Sequence, residues 1–513
     1  MQPSQNKNLQ AGVSLHHLGQ LVERVKSGAW AGRLLEASAC AVADATRLTA
    51  EIDRAARLLK DVQSGDRIIQ CLDNSISSIS VMLAIWERGA VPIPVKAASD
   101  CPTIEKLAAD SNARFVLSPG AKTLQATEGY RANDLIVTRV RPARTTGNDL
   151  ALIVYTSGST GTPKGIMLSH TNVLSALFAI KSYLKLDTSD VILSVSPLTF
   201  DYGLYQVLFS LAFDLTTILY NDYIQPLAVL HAVKRQDVTV LPVVPPLASA
   251  IERVLQMYKM DLPTLKKITN TGGHLSETTI KGLRDCLPHT AIYAMYGLTE
   301  CKRALYLPPE DIDRKIGSVG QPMPGLDAMV VRPGQDHEIG GVTHFFEVKP
   351  NEIGELVVRG ASVMQGYTRG DAIGAGARLV RGAYRDDVWL ATGDLFSYDE
   401  DGYYYFRGRI KDLVKQGGYC LYPLEMEENL MLHPMVESAA VIGATDCNGL
   451  EVARAFIKLA TPADAIRKDV LNWISKRFEP EYRPRDIRFV DEMPINANGK
   501  IDRARLAWNA SSD

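Results

Sequence analysis

A chain of 513 residues with 46% hydrophobic and 22% charged side chains can bury a large core, and at roughly 150 residues per domain it predicts about three compact units. Lys plus Arg (56) nearly balance Asp plus Glu (58), a formal net charge of -2, which speaks against wholesale binding to nucleic acid or to an anionic membrane. Seven scattered cysteines with no C-x-x-C pair argue against a disulfide framework or a metal cluster, and no apolar run reaches the roughly 18 residues of a membrane span, so a cytoplasmic protein without a membrane partner is expected.

Along the chain, short β-branched runs alternate with helical patterns. Arg67–Leu72 predicts a strand, Ile76–Arg88 an amphipathic helix and Ala90–Val95 the next strand. Leu152–Tyr155, Val191–Val195, Val238–Val244, Lys267–Thr271 and Ala291–Ala294 continue the series, each followed by turn residues and then a helical stretch. Strands spaced by helices imply βαβ units, hence an α/β fold of largely parallel sheets in layers. In such sheets ligands sit beyond the carboxyl ends of the strands. From about Gly325 to Gly408 the pattern changes to short strands with Gly and Asp turns. The last stretch has its own strands (Glu437–Gly443, Arg454–Leu459, Ile487–Val490) and helices (Pro423–Leu432, Ala465–Phe478). The expected division is a large N-terminal domain, 1–409, with a β-rich subdomain at about 325–409, and a small α+β C-terminal domain, 410–513.

The stretch richest in chemistry is Leu152–His170, LIVYTSGSTGTPKGIMLSH. An apolar strand runs into Thr156, Ser157, Gly158, Ser159, Thr160 and Gly161, then a Pro-Lys-Gly that ends in a helix. Glycines let successive backbone N–H groups approach a phosphate, hydroxyls add donors, and Lys164 adds charge. The spacing is not that of G-x-x-x-x-G-K-[ST], since Pro163 replaces the second Gly. A flexible linker would seldom lie directly between a strand and a helix with one lysine inside it.

YTSGSTGTPKG is similar to the phosphate-binding signature of the adenylate-forming superfamily, which includes acyl-CoA synthetases, adenylation domains of nonribosomal peptide synthetases and beetle luciferases. Further motifs follow in that family's order. Ala294–Glu300 (AMYGLTE) resembles the segment in which a tyrosine stacks on adenine, implying base packing by Tyr296, phosphate contact by Thr299 and Mg²⁺ ligation by Glu300. Thr271-Gly272-Gly273 resembles the glycine turn against the nucleotide, and Thr392-Gly393-Asp394 the ribose-binding aspartate. Gly408–Gly418 resembles the hinge segment, with Arg409 beside the nucleotide and Lys411 at the swivel. Pro494–Arg503 resembles the C-terminal motif of the catalytic lysine, here Lys500. Singly, a TGD triplet is an ordinary turn and most lysines are solvated; five motifs in order are not coincidence.

The resemblance implies an ATP- and Mg²⁺-dependent carboxylate–AMP ligase that passes its acyl group to a phosphopantetheine thiol, of CoA or of a carrier protein. No side chain need act as a covalent nucleophile. Ser196–Gln206 (SPLTFDYGLYQ) corresponds to the acyl-pocket helix. Phe200, Asp201, Tyr202, Tyr205, Met295 and Arg303 are its candidate pocket residues. Asp201 admits two readings by resemblance: the FD pair of amino-acid adenylation domains, whose carboxylate pairs with the substrate amine, or the HDMGL-like segment of fatty-acyl ligases; an internal cation such as Arg303 would serve equally well as its partner. Tyr202, Tyr205 and Met295 would either crowd the pocket toward a small or flat acid or serve as ordinary core. The substrate expected is an amino acid or a small acyl or aryl acid; a fatty-acyl ligase and a non-catalytic acyl-adenylate binder are the competing readings.

Overall fold

The computed structural model describes residues 14–118, 125–126, 145–156, 163–221, 225–335, 337–339, 342–369, 377–382, 387–446, 449–495 and 501–510. A nine-stranded sheet organises much of the chain up to residue 322. Its core is parallel: Ala291–Tyr296, Lys267–Asn270, Val240–Val243, Val191–Ser194, Thr216–Leu219 and Arg33–Glu36 lie side by side in that order. Antiparallel strands close both ends, Leu305–Tyr306 and Gln321–Pro322 on one side and Ala41–Ala43 on the other.

The order places a switch point at Val191–Ser194. The chain leaves this strand through helix Asp201–Phe213 to the neighbour on one side, and later returns as Val240–Val243 on the other. Connections that diverge from adjacent strands leave a crevice at their carboxyl ends. The loops that line it are those predicted to hold ligands.

A second sheet joins Val91–Lys96, Arg67–Leu72 and Phe115–Leu117 in parallel, with Gln125–Ala126 antiparallel at its edge. Helix Ile76–Glu87 packs against helices Gly19–Lys26 and Ala45–Leu58 as well as strands Arg67–Leu72 and Val91–Lys96. Covered from several directions, it is not amphipathic as expected: Ile76, Ile79, Ser80, Met82, Leu83, Ala84, Ile85 and Trp86 are all buried.

The uniform strand-then-helix series fails at two places, both next to the crevice. Leu150–Thr156 is followed by another strand, Lys164–Ser169, which runs antiparallel to it and pairs Thr156 with Lys164. The helix starts only at His170, where Ser169 accepts from the Asn172 N–H and the Asn172 side chain accepts from the Ser169 N–H, a reciprocal cap. Ala291–Tyr296 likewise returns as the antiparallel strand Leu305–Tyr306 with no helix between. Pairing across a loop is a non-local choice, and local periodicity does not report it.

Residues 326–409 build a five-stranded antiparallel sheet from Leu326–Val331, Gly354–Gly360, Val388–Tyr398, Arg378–Arg381 and Tyr404–Arg409. Beyond it, Val436–Thr445, Glu451–Leu459 and Asp486–Val490 form a three-stranded sheet carrying helices Pro423–Met431 and Asp464–Arg477. This last unit has a core of its own, in which Val414, Leu430, Val441, Ile457, Val470 and Ile474 are packed together. A separate apolar core is what lets a segment fold as a unit and turn as one.

Candidate active site

The crevice opens where three strand ends meet. A β-carbon added to Gly272 would stand 3.7 Å from both Phe200 Cζ and Val244 Cγ1, so the loops after Val191–Ser194, Val240–Val243 and Lys267–Asn270 converge on one spot. Gly272 itself has φ +84°, and Gly273 lies over Pro245.

On the next strand over, Tyr296 ends Ala291–Tyr296 and its hydroxyl donates to Asp394 Oδ2 at 2.7 Å. Asp394 reaches this point because the strand Val388–Tyr398 is bent at Gly393, whose φ of +73° lies in the left-handed region that favours glycine. Thr392 fixes the bend, its hydroxyl donating to Leu356 O at 2.8 Å and accepting from the Asp394 N–H at 3.1 Å. Asp394 is 3% exposed, and Arg409, its register partner across the sheet, brings Nε to 3.2 Å from Oδ1. Tyr296 lies edge-on to Phe396 at 4.8 Å between centroids and near-parallel to Phe406 at 6.2 Å. Burial, then the Asp394 carboxylate, push the Tyr296 hydroxyl well above its ordinary pKa, so it remains a donor. An aromatic face, a carboxylate and a guanidinium thus share one pocket wall.

Glu300 lies four residues past Tyr296 on the turn that also carries Thr299. The Tyr367 hydroxyl stands 2.9 Å from Glu300 Oε1 and 3.0 Å from Ala377 O. The Lys164 ammonium lies over the same ring at 5.3 Å from its centroid. Tyr367 therefore ties the lysine beside the hydroxyl-rich loop to the carboxylate expected to hold Mg²⁺. Burial pushes the Glu300 carboxyl above its ordinary value, against the opposing pull of the Tyr367 hydroxyl and the Lys302 ammonium. Among the described residues no cluster of three His, Cys, Asp or Glu could cage a metal. A magnesium ion keeps waters and shares few protein carboxylates with phosphates, so Glu300 alone could serve as its protein ligand.

Both margins of the loop after Thr156 are pinned. Asp110, 5% exposed, accepts from the Tyr155 hydroxyl, from Thr368 Oγ1 at 2.5 Å and from Arg369. The Thr368 N–H donates to Gly165 O at 2.9 Å. Ser157, Gly158, Ser159, Thr160, Gly161 and Lys500 lie outside the described residues. The bases of their segments are defined, by the pair Thr156–Lys164 and by an antiparallel bridge between Ile495 and Ile501.

At the end expected to take the acyl group, helix Asp201–Phe213 is buried from Asp201 to Ala212. The Tyr202 hydroxyl donates to Thr269 O at 2.7 Å, Tyr205 to Val173 O at 3.1 Å, and Tyr183 to Met295 Sδ at 3.0 Å. These aromatics are braced on the framework. The internal cation facing Asp201 is Lys302, with Nζ 3.4 Å from Oδ2 and exposures of 1% and 4%. Arg303, the internal partner considered from sequence, instead lies over the Tyr202 ring at 4.7 Å. The reason is a reversal at Lys302, φ +71°, which swaps the directions of two adjacent residues. A β-carbon at Gly297 would stand 2.0 Å from the Lys302 carbonyl oxygen, so the reversal needs glycine there.

Lys411 lies on a single 3-10 turn, Ile410–Asp412, between the antiparallel sheet and the C-terminal core. It lines a cavity of about 500 Å³ with Asp412, Val441, Gly443, Glu451 and Arg503. Gly417 and Gly418 form the turn of the hairpin Val414–Gln416 to Tyr419–Leu421. His274, next to the Gly272-Gly273 turn, contacts Glu428 of helix Pro423–Met431 at 3.2 Å, joining the crevice to the C-terminal unit.

Sequence reasoning missed Lys302, Tyr367 and Asp110. Lys302 carried one signal, its place next to the candidate Arg303; the other two act through long-range contacts only.

A parallel sheet with a switch-point crevice, touched by a C-terminal unit with a core of its own, is an arrangement suited to a nucleotide-dependent enzyme. The AMP-binding enzyme family matches residues 45–368 and the AMP-binding enzyme C-terminal domain matches 425–500, so the chain belongs to the AMP-binding, adenylate-forming enzymes. A feruloyl-CoA synthase of Amycolatopsis sp is 30% identical over 86% of this chain and 88% of that protein. The ATP-bound MatB of Rhodopseudomonas palustris superposes with a TM-score of 0.80 at 25% identity, covering 96% of this chain and 99% of that one. O-succinylbenzoate coenzyme A synthetase (MenE) of Bacillus subtilis, solved with ATP and magnesium ion, has the same fold, with a TM-score of 0.78 at 23% identity over 95% of this chain and 99% of that one.

Proposed function

We propose that this enzyme activates a small carboxylic acid with ATP as its acyl-adenylate and passes the acyl group to a pantetheine thiol. The observation that carries this is the pairing of two sets on adjoining walls, Tyr296–Asp394–Arg409 beside Glu300–Tyr367–Lys164. The first suits a purine face and ribose hydroxyls; the second suits phosphates and their metal.

In the first half-reaction a carboxylate oxygen attacks the α-phosphorus, the bond to the bridging oxygen breaks, and pyrophosphate leaves with the electron pair. Charge gathers on the phosphoryl oxygens, so positioned cations and donors do the catalysis. Lys500 bridges the substrate carboxylate and the α-phosphate, while Lys164, Thr299 and the donors of the 156–161 loop steady the rest. Glu300, its carboxylate oriented by the Tyr367 hydroxyl, would hold magnesium, which would supply neutralisation of phosphate charge. Asp394 and Arg409 fix the ribose end, and Gly272-Gly273 lets the nucleotide lie against backbone.

In the second half-reaction the thiol sulfur attacks the adenylate carbonyl, the carbon–oxygen bond to AMP breaks, AMP leaves as its phosphate anion, and the thiol proton goes to solvent. A turn about Lys411 withdraws Lys500 and brings the Gly417-Gly418 hairpin to the crevice. His274–Glu428 is the contact such a turn must break. The names of the curated relatives support CoA as acceptor, and a carrier-protein thiol has the same pantetheine chemistry.

The test is acid-dependent exchange of labelled pyrophosphate into ATP. The expected result is exchange that requires Mg²⁺ and an acid; nucleotide binding without exchange for any acid would leave only the non-catalytic reading.

A further inference from the structure

The acyl end of the crevice holds an unpaired donor. Arg303 is 6% exposed and its Nε–H is buried without an acceptor among the described residues, while its Nη1 donates to Lys302 O at 2.9 Å. A guanidinium has five N–H donors and no acceptor, and a buried donor left unmade costs roughly 1–3 kcal/mol, more when charged. Native proteins keep such groups mainly where something else completes them.

The neighbours do not complete it. The Asp201 carboxylate is engaged by Lys302, and that of Glu300 by Tyr367. The hydroxyl protons of Tyr202 and Tyr205 are committed to backbone carbonyls. The Tyr202 ring covers one face of the guanidinium, which holds it in place and leaves the in-plane Nε–H for an acceptor. Lys302 meanwhile fills the position opposite Asp201 with the protein's own ammonium, so a substrate amine would meet a site already occupied by like charge.

Resting on the ligase reading above, we infer that the activated acid is a dicarboxylic acid. One carboxylate meets the α-phosphate, and the second is held by Arg303, with the Asp201–Lys302 pair excluding an ammonium group. Arg suits this role because its donors match a carboxylate two at a time.

The experiment is acid-dependent pyrophosphate exchange with succinic, glutaric, adipic and phthalic acids. Each is compared with its own monoamide, and with alanine, benzoic acid and hexanoic acid. The expected result is that at least one diacid exceeds its monoamide by at least about tenfold in kcat/KM, the effect of one charge-assisted hydrogen bond. Arg303→Met should erase that preference, chiefly through KM, and Arg303→Lys should restore part of it. Monoacids or alanine turned over as well as every diacid would overturn the inference while leaving the ligase reading intact, as would an Arg303→Met enzyme that keeps the preference. Exchange with no acid at all would overturn the ligase reading and this inference with it. Should Arg303→Met fail to fold, the wild-type ratio of diacid to monoamide decides alone.

Discussion

The two ends of the crevice are built on opposite plans. At the nucleotide end, polar groups stand half-open on strand ends: Tyr296, Glu300 and Thr299 are partly exposed, and Asp394 is engaged by two neighbours that themselves face the site. At the acyl end, Asp201, Lys302 and Arg303 are sealed among aromatic side chains on a helix buried throughout. On the proposed reading, the first plan prepares surfaces that water leaves when a nucleotide arrives, and the second spends desolvation in advance, so that a ligand of matching charge and shape would restore balance. General chemistry is kept open and discrimination is kept dry.

The comparison can be broken most severely at the lysine proposed to serve both ends. Replacing Lys500 with Ala should lower adenylate formation by roughly 10²–10³-fold or more, the usual effect of losing one transition-state donor. Thioester formation from supplied acyl-AMP should continue, and equal loss of both half-reactions would contradict the assigned role. If the acyl end is desolvated in advance, Lys302→Met should cost about 3–5 kcal/mol in urea denaturation by stranding Asp201. The double variant with Asp201→Asn should recover much of that; additive losses would show that the two residues do not act as a pair.

Outside both ends, His170 reports on the frame. Burial holds its pKa near 4, below the ordinary 6.5, while its Nδ1 accepts the Leu18 N–H at 3.0 Å. The unfolded chain therefore binds the extra proton between these values. Stability is full above pH 6.5 and falls as pH drops toward 4, by about 3 kcal/mol from this group alone. Urea midpoints measured across that window should flatten in His170→Gln.

At the nucleotide end, Asp394→Asn should raise the KM for ATP by about ten- to a hundredfold, the range for charge-assisted hydrogen bonds. A change in the KM of the acid alone would misplace the residue. The smallest effect is expected at the bend itself: Gly393→Ala should cost about 1–2 kcal/mol in stability for a left-handed backbone, read as a lowered Tm.

Local chemistry wrote much of this protein into its sequence. The strand series of an α/β fold follows from residue type and spacing, and the hydroxyl-rich run after Leu152–Tyr155 stands out the same way, because a buried strand or a glycine turn is made within a few consecutive residues; the AMYGLTE and ATGDL segments were picked out by their resemblance to a family's motifs. What lies between them was decided only by tertiary structure. Lys164–Ser169 became a strand because Leu150–Thr156 lay beside it, and helix Ile76–Glu87 lost its polar face because partners surround it. The Asp201 pairing went to Lys302 instead of Arg303 because one backbone reversal, 101 residues from the aspartate, chose which cation would face it. Interactions that close within a turn can be read along the chain; those whose partners are brought together by folding depend on geometry that no single segment contains.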